Sequence, residues 1–348
     1  MRAVTLLLAV VAACPAATVG DALVRLENAA VAVEVSPALA GRIVSLKRQG
    51  GAEMLAFVQE LRRRDLATLP QAASDGAYLH SGGSVVWLGP QRAWWSGQDG
   101  NPARRAARAT WPPDPWLEYA AMTVVERTAE HVVLQGQASQ VSGIALRTRI
   151  AIAGDGAVVQ AIEAVNTSPR SVAWDIWPNT RARPDARVFA PFDAQTRLRL
   201  EHSTFDPAVE RQLPTSVEDG YLSFETALAP AAAGRLHTGK AFIVQARPRL
   251  FAAVDGELLI MAGAAVDPTQ VHPDHAPVEV FQCAGGDPIR ALLELEFHAP
   301  YRTLEPGASM RTAVAWRVVP LAVADPSAVR GHEADAARLG ELADAAAR

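Results

Sequence analysis

The sequence predicts an all-β fold of antiparallel strands closed by one C-terminal helix. Three observations carry this expectation. Stretches that alternate apolar and polar side chains recur along most of the 348 residues, which is the period of a strand with one buried face. Glycine-, asparagine- and proline-bearing turns separate them at short intervals, and few helical stretches intervene, so the pattern is that of a sandwich or barrel rather than a βαβ fold. The one long helical repeat stands at the C-terminal end.

In order, residues 29–35 and 41–47 alternate about a Ser36-Pro37 turn and form a first strand pair. Residues 56–66 are charged and read either as a helix or as an irregular insertion. Strands follow at 122–125, 131–136, 143–152 and 157–165, with Gly154-Asp155-Gly156 and Asn166-Thr167-Ser168-Pro169 as turns. Later strands are 241–246, 258–262, 278–283, 291–297 and 309–319. Asp255-Gly256, Gly285-Gly286-Asp287 and Pro306-Gly307 punctuate them. Residues 325–347 read as helix: Asp325 is its N-cap, Pro326 its first helical position, and Val329, Ala336, Leu339 and Ala343 recur at helical spacing. That helix is expected on the outside of the sandwich. No repeat or linker interrupts residues 22–320, which read as a single domain.

A hydrophobic content of 49% supports a sizeable core, and a net charge of −4 argues against a general nucleic-acid binder. Residues 1–20 have the form of an export signal: one arginine, an apolar run, then small residues. The run is too short to be a permanent membrane span. Two processing routes fit: a lipid on Cys14 after Val11-Ala12-Ala13, or a cut near Gly20. Either implies a periplasmic or envelope location, with membrane contact only through the Cys14 lipid. Cys283 is then the remaining cysteine, so the mature monomer has no internal disulfide, and this thiol is expected to be buried and inert.

Five of the eight tryptophans fall between Trp87 and Trp116, among glycine, proline, arginine and glutamine. Two readings are open. In one, indoles in turn-rich loops stack on the apolar faces of a sugar while neighbouring polar groups bind its hydroxyls. In the other, they are hydrophobic anchors over the open end of the sandwich.

The order of motifs resembles the galactose mutarotase (aldose 1-epimerase) superfamily over about residues 22–320, in an exported branch. The opening strand pair with Gly41-Arg42 is similar to the superfamily's start. Gly82-Gly83 through Trp87, Pro90 and Gln91, then Trp111-Pro112-Pro113-Asp114, resemble the exported branch. The strand pair about Asn166 is similar to the central pair, while Pro277–Gln282 written as PVEVFQ, the Leu304-Glu305-Pro306-Gly307 turn and the Trp316 strand resemble its close. The resemblance implies an antiparallel β-supersandwich with a sugar-binding face.

Anomer exchange needs a base for the anomeric hydroxyl and an acid for the ring oxygen. The resemblance places the base, a glutamate on a late strand, at Glu279. The alternative for Glu279 is an outward-facing strand glutamate. By alternation it shares a face with Phe281 and Cys283, and burial on that face would raise its pKa. The resemblance places the acid histidine after the Asn166 turn, yet the chain reads Trp174-Asp175-Ile176-Trp177-Pro178-Asn179 there, leaving His80 and His202 as substitutes from elsewhere. Trp87, Trp94, Trp95 and Trp177 are the expected stacking walls, with Gln91, Arg92, Asn179 and Arg181 as polar contacts. Val271-His272-Pro273-Asp274-His275 is expected to be an exposed polar loop; a metal would need further ligands from elsewhere. Asp114 with Glu279 or Glu296 is a glycosidase-type pair only at the right separation. There is no phosphate loop or nucleophile elbow, and no cofactor or metal is expected. Three functions stay open: a carbohydrate-binding protein, an aldose 1-epimerase, or an interaction module of the cell envelope.

Overall fold

The computed structural model describes residues 17–72, 78–202, 213, 215–226, 237–284 and 291–348. The strands are, in chain order, β1 Val24–Glu27, β2 Val31–Ser36, β3 Arg42–Arg48, β4 Ser84–Gly89, β5 Thr123–Arg127, β6 His131–Gln135 and β7 Ile144–Ile152. Next come β8 Val158–Asn166, β9 Val172–Arg181, β10 Arg187–Pro191, β11 Arg197–His202, β12 Thr215–Glu218, β13 Tyr221–Phe224 and β14 His237–Val244. The last are β15 Arg249–Val254, β16 Glu257–Gly263, β17 Val278–Ala284, β18 Leu292–Phe297, β19 Arg302–Leu304 and β20 Ser309–Pro320.

They form two ten-stranded antiparallel sheets. The first runs β1-β2-β3-β4-β9-β18-β17-β14-β11, with β19 also paired to β9; the second runs β12-β13-β10-β15-β16-β20-β8-β7-β6-β5. The main core lies between them and draws Val33, Leu46, Ile176 and Leu295 from the first sheet and Leu146, Ile162, Leu259 and Val314 from the second. Alternation explains how one sequence serves both sides. In β8 every second residue from Val158 to Asn166 is buried and the residues between are half-exposed.

The C-terminal segment covers the outer face of the second sheet. It has two helices, α3 (Pro326–Arg330) and α4 (Glu333–Ala347), parted at Gly331-His332. The Asp325 carboxylate accepts from the Ala328 backbone N–H and caps the first turn. Val329, Ala336, Leu339 and Ala343 are all fully buried, against Phe251, Ile260, Ala313 and Ala315. The charged stretch at 56–66 is irregular: it carries a 3₁₀ turn at Gln59–Arg63, and a second follows at Leu66–Thr68.

Residues 1–16, with Cys14, lie outside the described residues. From Thr18 onward the chain is part of the body. Val19 is fully buried, and Val19 and Gly20 donate to the carbonyls of Arg64 and Arg62. A cut after Gly20 would therefore strip a buried side chain from the fold. No helix among the described residues is long and apolar enough to cross a membrane.

One strand departs from simple alternation. From Trp174 to Arg181, β9 is buried at every position. Trp174, Ile176 and Pro178 take one face; Asp175, Trp177, Asn179 and Arg181 take the other. That second, polar face lies away from the main core, and segment 78–116 lies over part of it.

Candidate functional site

The outer face of the first sheet holds a cavity of about 480 Å³. Registers between strands lay out its floor. One row across the sheet runs Arg181, Glu294, Phe281, Lys240 and Glu201; the next runs Asn179, Glu296, Glu279 and Phe242. Trp87 pairs with Trp177 in a third row. Tyr78, His80, Gln91 and Trp111 wall the cavity from the covering loops.

Local sequence fixes these placements. Gly82 and Gly83 both have positive φ, and a side chain on them would collide with the carbonyls of Ala56 and Ile43. The incoming chain can therefore lie close against β3 before β4 begins. At the other end of β4, the Gly89 N–H donates to Asp175 Oδ1 at 3.0 Å, leaving no room for a Cβ. Trp87 donates its indole N–H to Glu118 at 2.6 Å, and Glu118 is ion-paired with buried Arg42 at 2.8 Å. The Trp87 wall is thus fixed from behind.

The electrostatic centre is Lys240. Its Nζ lies 2.5 Å from Glu279 Oε2 and 2.8 Å from Glu296 Oε2, with both carboxylates buried, and 4.8 Å from the centre of the Trp177 ring. Glu296 also accepts from the Trp177 indole at 3.1 Å. Behind Glu279 stand two stacked imidazoles, His275 and His298, with ring centres 4.0 Å apart. His275 Nδ1 and the Ala276 N–H both reach Glu279 Oε1, at 3.1 and 2.8 Å. His298 bridges Asp175 at 3.3 Å and Glu279 at 3.4 Å, the latter an ion contact rather than an aligned hydrogen bond.

These neighbours split the two glutamates. Burial pushes Glu296 up most, and together with the charges of Glu279 and Glu294 it outweighs the pull of Lys240, so Glu296 reaches about 8. Burial also acts on Glu279, but Lys240, His298 and His275 together hold it well below the usual carboxylate range. Burial depresses His298, yet Glu279 and Asp175 reverse this and raise it to about 9. His275, buried beside a charged neighbour, is lowered. Near neutral pH the cluster therefore holds an ionised Glu279, a protonated His298 and a protonated Glu296 at the cavity wall.

Several expectations need correction. Trp94 and Trp95 are 3% and 2% exposed and do not line the cavity. Trp94 donates to the Leu88 carbonyl and stacks behind Trp177 at 5.9 Å; Trp95 donates to the Pro112 carbonyl. Both are anchors. Arg92 points away, ion-paired with Asp274 and against His272. Asn179 is buried beneath Glu296, at 3.4 Å. Glu279 lies on the face expected for it but is fully buried behind Lys240, and its pKa is lowered instead of raised. His272 is buried and His275 partly buried with its side chain covered, rather than loop-exposed, because His275 tucks under Trp177 and onto His298. Cys283 is half-buried on the cavity wall. Asp114 caps the short helix at Pro115–Glu118, bound to Ser139 and the Trp116 N–H, and is no partner for Glu279 or Glu296. His202 ends β11, with its side chain outside the described residues.

Of the expected residues, Trp87, Gln91, Trp177, Arg181 and His80 do border the cavity. Sequence reading missed Tyr78, Trp111, Lys240, Glu294 and His298. The run Leu293-Glu294-Leu295-Glu296-Phe297 carried a signal: charges alternate with large apolar residues on a strand, and buried charge on a central strand requires a partner. Two donor sets could hold a divalent ion, Asp175–His275–His298 and Glu279–Glu296–His298. In the second, Lys240 already supplies the positive charge. In the first, stacked rings set the two imidazoles' in-plane lone pairs side by side, poorly aimed at one ion.

The fold is that of a galactose mutarotase-like β-sandwich. Three solved structures share the fold. A galactose mutarotase-like protein from Lactobacillus casei superposes with a TM-score of 0.54 at 10% identity, over 85% of this chain and 100% of that one. A putative aldose 1-epimerase from Escherichia coli gives 0.52 at 13%, over 86% and 99%. A galactose mutarotase-like protein from Clostridium acetobutylicum gives 0.52 at 10%, over 86% and 95%. At these identities the likeness is one of fold. No curated protein sequence matches the chain. By sequence the chain belongs to the family described as "Domain of unknown function (DUF4380)", which matches residues 22–319.

Proposed function

We propose that this protein binds a carbohydrate in the cavity on the outer face of the first sheet. The observation that carries the reading is the composition of the wall. Trp87, Trp111 and Trp177 come from three separate segments and meet Arg181, Gln91, Glu294 and Glu296 around one open space. Flat apolar faces beside a few fixed donors and acceptors suit a sugar ring, which has apolar faces and a polar edge. Trp111 is the best probe, being 46% exposed and packed on Tyr78 at 4.6 Å. Trp111→Ala is expected to weaken sugar binding about ten-fold, corresponding to roughly 1.4 kcal/mol. Because half of the ring packs against Tyr78, Trp87 and Trp94, a stability loss of about 1–2 kcal/mol is expected, so binding is compared on variant protein shown to be folded. Fluorescence titration with a panel of monosaccharides and oligosaccharides measures this; flat curves across the panel for the parent protein would refute the reading.

A second reading is favoured by Glu296. It is a carboxyl that keeps its proton near neutral pH just under the cavity wall, two residues along the same strand face from Glu294. It is as buried as Glu279, so this reading requires the Lys240 ammonium to move aside when a sugar enters. This pair supports exchange of sugar anomers. Glu294 takes the proton of the anomeric hydroxyl while Glu296 gives its proton to the ring oxygen, and the ring C–O bond breaks. After rotation about the neighbouring C–C bond, closure on the other face returns both protons. Glu279, the position indicated by resemblance, then serves as the buried counter-charge to Lys240 and His298.

A further inference from the structure

A second cavity, of about 390 Å³, adjoins the first, and three residues wall both: His80, Arg181 and Leu292. Its remaining wall includes Phe57, Gln59, Glu60 and Pro184. From this geometry we infer that the site is a groove with two subsites, and that its ligand is an oligosaccharide of two or more units. The inference rests on the carbohydrate reading above and extends it.

Three features support it. Each volume falls within the roughly 300–1,000 Å³ of sites that bury a drug-sized ligand, more than a single pyranose ring fills. The two halves differ in a way that suits successive units of one chain. The first has indole walls and the charged cluster; the second has, besides the shared His80, the Phe57 ring, the apolar side chains of Val58 and Pro184 and the exposed polar side chains of Gln59 and Glu60. At the junction stands Arg181, 2% exposed and held by Glu294 at 2.8 Å and Tyr78 at 2.7 Å. Its Nη1 is buried and, among the described residues, has no hydrogen-bond partner. A buried guanidinium nitrogen without an acceptor is costly. A hydroxyl or glycosidic oxygen passing from one subsite to the next would satisfy it.

Glucose, maltose, maltotriose, cellobiose, cellotriose, galactose and lactose, titrated against the full chain by tryptophan fluorescence, test the inference. At least one disaccharide or trisaccharide should bind about ten-fold or more tightly than its own monosaccharide. The double variant Gln59→Ala/Glu60→Ala changes only exposed side chains of the second subsite. It should return the oligosaccharide Kd to within about two-fold of the monosaccharide value and leave monosaccharide binding unchanged. Equal affinity for monosaccharide and oligosaccharide overturns the groove and keeps the sugar site. An oligosaccharide advantage that survives the double variant also overturns this groove. Silence toward every sugar removes the carbohydrate reading itself, and the groove with it.

Discussion

Lys240→Met is expected to destabilise the protein by about 3–5 kcal/mol at neutral pH, because it leaves the buried Glu279 carboxylate without its leading cation. Glu279 and Glu296 are 0% and 1% exposed, and Lys240 lies within 2.8 Å of both. The effect has a pH signature whose sign follows from the site. Glu279 is held below its ordinary value, so it contributes stability above about pH 4.3 that is lost as pH falls toward its folded pKa. Lys240 is the leading favourable charge on Glu279, so most of this contribution disappears in the variant. The deficit should therefore be large at pH 7 and shrink at about pH 4, where the glutamates take up protons. The parent protein has a second trend. Glu296 and His298 titrate near 8 and 9 when folded, above their ordinary values of about 4.3 and 6.5, so their contribution is full below those ordinary values and declines as pH rises from them to the folded ones. Urea unfolding of both chains from about pH 3 to 9 should place the parent's maximum near about pH 4–5. A Lys240→Met deficit of the same size at pH 4 and pH 7 would show that charge pairing is not its cause.

The largest effect on chemistry is expected from Glu296→Gln. Gln keeps the shape and can still accept from the Trp177 indole, but it cannot deliver a proton. If the anomer-exchange reading holds, the rate enhancement for the best aldose should fall by about 10²–10⁴-fold, while the Kd for that sugar changes only a few-fold. Polarimetry or exchange NMR reads the first and fluorescence titration the second. An unchanged rate in the variant removes Glu296 from the chemistry. A parent protein that never accelerates exchange leaves binding as the function.

Much of the fold was legible because burial on one face writes period two into a strand. Segments 143–152 and 157–165 fall almost residue for residue on β7 and β8, and the helix stripe Val329, Ala336, Leu339 and Ala343 is buried as spaced. The covering segment was harder. Its indoles look alike in sequence, yet Trp94 and Trp95 became anchors while Trp111 kept an open face, a difference set by which way the loop turns after β4. The polar cluster was legible only in pieces. Asp175, Lys240, Glu279 and His298 lie on four different strands or strand ends, and only the sheet register brings them together. His298 shows the limit well. The histidine missing after the Asn166 turn is answered by one arriving more than a hundred residues later, against Asp175 in that same turn's strand.

The pairing of Glu279 directly opposite Glu296 has a consequence for the order in which the sheet assembles. On its own, the hairpin of β17 and β18 would set two carboxylates side by side on a face about to be buried, which is unfavourable. Their cation belongs to β14. Although Glu279 has His275 and the Ala276 N–H close by in sequence, the neutral partners of Glu296, Trp177 and Asn179, come from β9, 119 and 117 residues upstream. The hairpin therefore gains little by docking early. It joins the sheet together with β14 and β9, a closure that spans long loops and is slow for that reason. Acid near the ordinary glutamate value of about 4.3 removes the repulsion and lets the hairpin form first, so refolding that quickens between about pH 6 and 4 is the kinetic mark of this order, and a rate indifferent to pH argues against it.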